Sequence, residues 1–280
     1  GMEFTLNTKN LTGEFAWSSN FNISFNKNKV LEVGVDGRPI YGSAANANNA
    51  FITKPGYPIA SFYGYKYIGV FQSEEELAKY PHLSGDKVGD GRYEDVNKDG
   101  VLDQNDKTIL GDNNPLFTAG FSNSFSYKNF TLDIQFTGSY GAEVFSFYKR
   151  MCGIYHGDRN GMIEQLGRWQ SKDQPGDGIH FRPTRTPSGW QRDPSSAWVQ
   201  DASYLRLRNL TLGYNFDQKV LDKMKMKGLR LYVTGQNLFT ITNYVGYDPE
   251  TSSESGLAQG GDYLGYPAAR SFIIGANITF

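Results

Sequence analysis

The sequence predicts an all-β fold: an antiparallel, up-and-down β-barrel segment of about seven strands, joined on one side by long loops. Three observations predict it. Stretches of nine to fourteen residues alternate apolar and polar side chains with a period of two, the mark of strands with two unlike faces. The gaps between these stretches alternate short and long without exception. Aromatics make up 15% of the chain and 32 of its 280 residues are glycine, which favours strands, turns and loops over helices.

The last stretch shows the pattern in full. In Ser271–Phe280, Phe272, Ile274, Ala276, Ile278 and Phe280 share one face, opposite Ser271, Ile273, Gly275, Asn277 and Thr279. Ten residues match the roughly 9–11 that a tilted strand needs to cross a bilayer. Upstream, Met2–Thr8 alternates weakly and 9–14 read as a turn. Phe15–Phe25 puts Phe15, Trp17, Phe21, Ile23 and Phe25 on one face, interrupted by Ser19. Phe117–Tyr127 and Phe130–Gly138 flank the two-residue turn Lys128-Asn129. Ser203–Phe216 alternates in two blocks one position out of phase, so a β-bulge near Asn209 is expected. Leu229–Leu238 completes the set.

The gaps run 6, 91, 2, 64, 12 and 32 residues, the long ones being 26–116, 139–202 and 239–270. Membrane barrels show this alternation, with short turns on one side and long external loops on the other. Seven strands cannot close such a barrel, so the chain would supply part of the wall of a larger one. Asp133, Gln135, Arg206, Arg208, Arg230 and Gln236 would then face a wet lumen. The competing reading is a soluble sandwich with one solvated face.

Composition narrows the function. A net charge of −1 offers no basic surface for nucleic acid. Cys152 is the single cysteine, so no internal disulfide or cysteine-rich metal site exists. There are three histidines, scattered along the chain, and a zinc triad is not expected. No apolar run approaches the ~20 residues of a membrane helix, and no signal peptide is visible. G-x-S-x-G, H-E-x-x-H and a phosphate-cradling glycine loop are all lacking, so no catalytic or cofactor-binding residues are expected and the chain is not read as an enzyme.

The sharpest chemical motif is Asp95–Asp106. Asp95, Asn97 and Asp99 fall at loop positions 1, 3 and 5, Gly100 at 6, the Val101 carbonyl at 7, Asp103 at 9 and Asp106 at 12. This spacing wraps oxygens around one point and suits a structural Ca²⁺. Aspartate at position 12 reaches less far than the usual glutamate, so low affinity is expected. The plainer alternative is a polar turn, built from the residues turns use anyway. Trp169, Trp190, Trp198, Tyr155 and Tyr247, in the long loops, are candidate substrate contacts, since aromatic platforms stack on sugars and anchor interfaces. Packing within the loops is the alternative for each. Arg182, Arg185 and Arg192 could meet an acidic partner.

Beyond these patterns, the chain resembles the C-terminal barrel part of SusC/RagA-type TonB-dependent outer-membrane transporters of Bacteroidota. The resemblance rests on NFNISFNKNKV (Asn20–Val30), PIASFYGYKYIGVF (Pro58–Phe71) and the run Gly89–Leu132. It continues through ASYLRLRNLTLGYNF (Ala202–Phe216), LRLYVTGQNLFTITNYVGYDPE (Leu229–Glu250) and the YPAARSF ending. It implies a 22-stranded barrel whose plug domain and TonB-contacting region lie outside this sequence. It also implies import of oligosaccharide or peptide with a SusD-like surface lipoprotein, energised by TonB, and contact with outer-membrane lipids. The alternative function is a soluble calcium-dependent glycan-binding module.

Overall fold

The computed structural model describes residues 1–34, 36–44, 47–153, 160–184, 193–250 and 255–280. Seven long strands form one sheet: β1 (Met2–Thr12), β2 (Phe15–Phe25), β3 (Phe117–Tyr127), β4 (Phe130–Tyr140), β5 (Tyr204–Asn215), β6 (Gly228–Thr242) and β7 (Ser271–Thr279). Each pairs antiparallel with its sequence neighbour, giving an uninterrupted meander from β1 to β7. The two outer strands, β1 and β7, each leave one edge unpaired within the sheet.

The registers put like with like. Leu132 opposes Leu212, which opposes Val233, which opposes Ile274. One residue along, Asp133 opposes Thr211, which opposes Thr234. One face is therefore apolar and the other polar, and the apolar face is bare: Phe4, Leu212, Val233, Phe272 and Ile274 are all exposed. Water would penalise such a face and hydrocarbon would not. Aromatics mark both of its ends. Phe25, Phe117 and Tyr140 group where the long loops leave, and Phe130, Tyr214 and Phe216 group at the turns. An eleven-residue strand is about 37 Å long and spans about 26 Å when tilted by 45°, close to the apolar band of membrane barrels.

The bulge falls at Arg208, which has no partner in either register, with Asn237 and Leu238 looped out opposite it. Asn237 takes a left-handed φ of +51° there. Two boundaries differ from expectation. The β1–β2 turn is only 13–14, because the edge pairs Lys9 with Ser18 and Thr12 with Ala16 beyond the apolar alternation. Strand β6 runs on to Thr242, paired with Tyr204, so the third long loop is 243–270.

The long loops are not irregular. The first (26–116) contains a four-stranded sheet of Ile40–Ala44, Ala47–Thr53, Ser61–Gly64 and Thr108–Gly111, a strand pair Tyr67–Val70/Gly91–Tyr93, and helix α1 (Glu74–Lys79). Ser73 caps that helix, accepting from the Glu76 N–H. The second and third loops share a sheet in which Glu143–Ser146 lies between Val199–Asp201 and Gly261–Asp262. Helix α2 (Phe147–Gly153) follows directly. A short helix α3 (Gln218–Met224) sits in the 216–227 connection on the turn side.

All three loops bury side chains in a single core. Ala47, Phe51, Phe62 and Val70 come from the first, Phe145, Phe147, Phe181 and Trp198 from the second, and Ala258 from the third. Phe51 meets Phe62, Phe145 and Phe147 with ring centroids 5.6, 6.0 and 6.5 Å away. Backbones touch as well. A Cβ on Gly42 would lie 1.9 Å from the Leu257 carbonyl, and one on Gly64 2.1 Å from that of Pro194, so only glycine fits at these crossings.

Candidate functional site

Because the strands alternate in direction, all three long loops leave from one end of the sheet and form one body above it. Charged side chains on the polar face tie the wall to that body. Arg206 of β5 is 3% exposed, and its guanidinium reaches Asp248 at 2.5 Å, Glu250 at 2.5 Å and Thr240 Oγ1 at 2.8 Å. Arg208, turned to the same side by the bulge, binds the other Glu250 oxygen at 2.5 Å, and Tyr204 donates to it as well. Burial opposes ionisation of Asp248. The Arg206 guanidinium and the N–H groups of Ala268 and Glu250 outweigh it and hold the carboxyl below its ordinary range. The Tyr247–Glu250 turn is thus clamped onto the polar face of the wall.

A second clamp joins the first two loops. Asp90, 3% exposed, receives Arg182 on both oxygens at 2.7 and 3.1 Å. Arg182 is therefore engaged inside the loop body. Arg185 and Arg192 lie outside the described residues.

The Asp95–Asp106 turn closes through its own hydrogen bonds. Asp95 accepts from the N–H groups of Lys98 and Gly100, the Asn97 side-chain Oδ1 from that of Asp99, and Asp99 from that of Val101. Asp103 accepts from Asn105 N–H and caps a 3₁₀ turn. Asp106 is fully buried, and its two oxygens take the N–H groups of Val96, Asn97 and Asp103. Among the described residues, no three carboxylate, histidine or cysteine side chains converge on one point as metal ligands. Gly100, at φ +83°, makes the sharp turn expected at loop position 6.

The aromatic candidates separate. Trp198 is 3% exposed and belongs to the loop core, so it offers no open stacking face. Trp169 packs against that core and over Gly89. Tyr247 is 62% exposed and paired with Tyr148, ring centroids 5.8 Å apart. Tyr155 and Trp190 lie outside the described residues.

Sequence reasoning missed a cavity of about 370 Å³ inside the loop body. Helix α2, the 3₁₀ turn Ile163–Gly167, the segment 179–181, the run 196–199, Tyr67 and Val245 enclose it. All three loops contribute, which is why no single stretch signals it. Among the described residues, no helix is long and apolar enough to cross a membrane, and strand crossing is a separate matter.

Comparison with known proteins gives one answer. No family model matches the chain. Across its whole length it is 35% identical to TonB-dependent receptor P3 of Formosa agariphila, of which it covers 28%. It is 28% identical to TonB-dependent receptor SusC of Bacteroides thetaiotaomicron, covering 26% of that protein. The structure of the RagAB peptide transporter superposes on 99% of the chain with a TM-score of 0.79 at 20% identity, using 28% of the transporter chain. The chain thus spans little more than a quarter of the proteins it matches, and these relatives are receptors and transporters rather than enzymes.

Proposed function

We propose that this chain, a segment of a SusC/RagA-type TonB-dependent receptor, forms part of the wall and much of the outer mouth of an outer-membrane importer. One observation carries the reading: a seven-stranded meander with a bare apolar face, a polar face, and every long loop at one end. In a bilayer the apolar face meets lipid and the polar face, with Asp133, Arg208 and Arg230, lines a wet lumen, while Arg206, expected there from the sequence, is buried under the Tyr247–Glu250 turn. The loop body then lies outside the cell, where a substrate is first met and where a SusD-like lipoprotein would close the mouth. Energy from TonB and a plug would come from parts of the protein beyond this segment. Oligosaccharide or peptide is the substrate class.

Topology tests this in the complete receptor on intact cells. Tyr266→Cys should react with a membrane-impermeant maleimide and Ile274→Cys should not, since both are exposed here but only one would face water. Equal labelling of the two overturns the reading.

We also propose a weak structural Ca²⁺ at Asp95–Asp106. Most of the carboxylate oxygens there accept a single N–H and keep a second lone pair for an ion. Millimolar Ca²⁺ should slow proteolysis within 85–115 of the complete receptor. No change in the cleavage rate would leave a self-capped polar turn.

A further inference from the structure

The cavity inside the loop body has a composition that selects a ligand. Its walls are apolar: Met162, Ile179, Phe181, Trp198, Val199 and Val245. Most of its polar groups already have partners. The Gln165 side-chain amide donates to the Gly153 carbonyl at 2.7 Å. His180 Nδ1 is 2.5 Å from Asp177 Oδ2. Ser196 Oγ accepts from the Tyr67 N–H at 2.9 Å, and the Tyr67 hydroxyl donates to the Ile179 carbonyl.

Two charged groups on the lining remain. Lys149, on helix α2, is half-buried, and among the described residues its ammonium has no hydrogen bond or ion pair. Burial pushes its pKa below the ordinary lysine range, while the field of Glu164 acts in the opposite direction. Glu164 is exposed and, among the described residues, also makes no ion pair. The indole N–H of Trp198, sealed in the same wall, lacks an acceptor among the described residues.

We infer that this cavity binds the carboxylate end of a short peptide, with Lys149 pairing the carboxylate, the apolar wall taking the last side chain, and Glu164 meeting the peptide's ammonium. The cavity volume is at the small end of ligand sites, a size for one or two residues. A neutral sugar would offer the half-buried Lys149 ammonium no charge of its own, leaving it only the field of the exposed Glu164, and it would find no open stacking face on Trp198, which is 97% covered. The inference rests on the importer reading and adds a substrate class to it.

The test uses the complete receptor in detergent and the tripeptide Ala-Ala-Phe, titrated by calorimetry against its C-terminal amide and its N-acetyl form. Amidation should weaken binding about tenfold or more, because it removes the charge Lys149 pairs. Acetylation should weaken it less, since Glu164 is exposed to solvent. Lys149→Met should bind acid and amide alike, and Lys149→Arg should restore the preference. Equal binding of acid and amide by the unaltered receptor overturns the inference. So does binding of neither, or an equal response to the neutral sugar cellotetraose. A receptor that inserts with the predicted labelling but ignores the tripeptide defeats this inference alone. A receptor that fails the labelling test defeats the importer reading beneath it.

Discussion

The wall and the loop body obey opposite burial rules within one chain. In the loop body, Phe51, Phe62, Phe145 and Phe147 have essentially no exposed surface. In the wall, Phe272 and Ile274 are 72% and 84% exposed. The residue types are the same; the solvent for which each face is built is not. A large apolar side chain on the surface of a water-soluble body is a liability when it forms part of a contiguous patch. Here the patch runs the length of a seven-stranded sheet, a face that water penalises and hydrocarbon would not. The comparison shows that fractional exposure has no fixed energetic sign until the surroundings are named.

Four experiments on the complete receptor break or sharpen that contrast. The largest effect should come from Phe51→Ala. It opens a void among three aromatic rings and should cost about 3–5 kcal/mol, loosening the loop body while the wall stays folded. Limited proteolysis would show cleavage within the loops, with the heat-modifiable gel shift of the barrel intact. Loss of the gel shift as well would mean that the two regions fold as one unit. Next, Ile274→Arg should cost roughly 2–4 kcal/mol in folding into lipid vesicles, whereas Tyr266→Arg, at a still more exposed position, should stay within about 0.5 kcal/mol. Similar costs would erase the distinction between the two surfaces.

Arg206→Met should cost about 2–3 kcal/mol, because it strands Asp248 near the wall and leaves Glu250 only Arg208 and Tyr204. Amide exchange should rise in 243–250 and remain unchanged around Phe51. The smallest effect is a pH dependence of the same clamp. Asp248 has a depressed pKa when folded, so its contribution is complete above the ordinary carboxylate range and is lost as pH falls through and below it. Exchange in 243–250 should therefore quicken on acidification below about pH 4, and Arg206→Met should abolish that dependence.

The wall was legible in the sequence, and the loop body was not. Period-two alternation marks a strand whose faces meet different solvents, so the strands read as Phe130–Gly138 and Ser271–Phe280 match Phe130–Tyr140 and Ser271–Thr279 to within two residues. The phase slip between Leu207 and Leu210 placed the bulge to within a residue of Arg208. The end of β1 was missed because Lys9–Thr12 pairs through backbone with no apolar signal. The loop strands are only two to seven residues long, and several of their partners lie far away in sequence. Phe145 pairs with Gly261, for example, and a local pattern carries no record of such a contact. Trp198 illustrates the same limit. As a tryptophan in a loop it was a reasonable binding platform, and only the fold places it beneath Phe181. The Lys149 cavity was equally invisible, since its lining comes from short pieces of three separate loops.

The shared core of the three loops bears on how such proteins diversify. Gly42 against Leu257 and Gly64 against Pro194 are fitted surfaces whose two sides lie on different loops. A recombination event or graft that replaced one loop would bring half of each fit and leave Phe51 or Phe145 facing a stranger. The heritable unit of this mouth is the set of three loops, and exchanges that keep the set together should be the ones that survive.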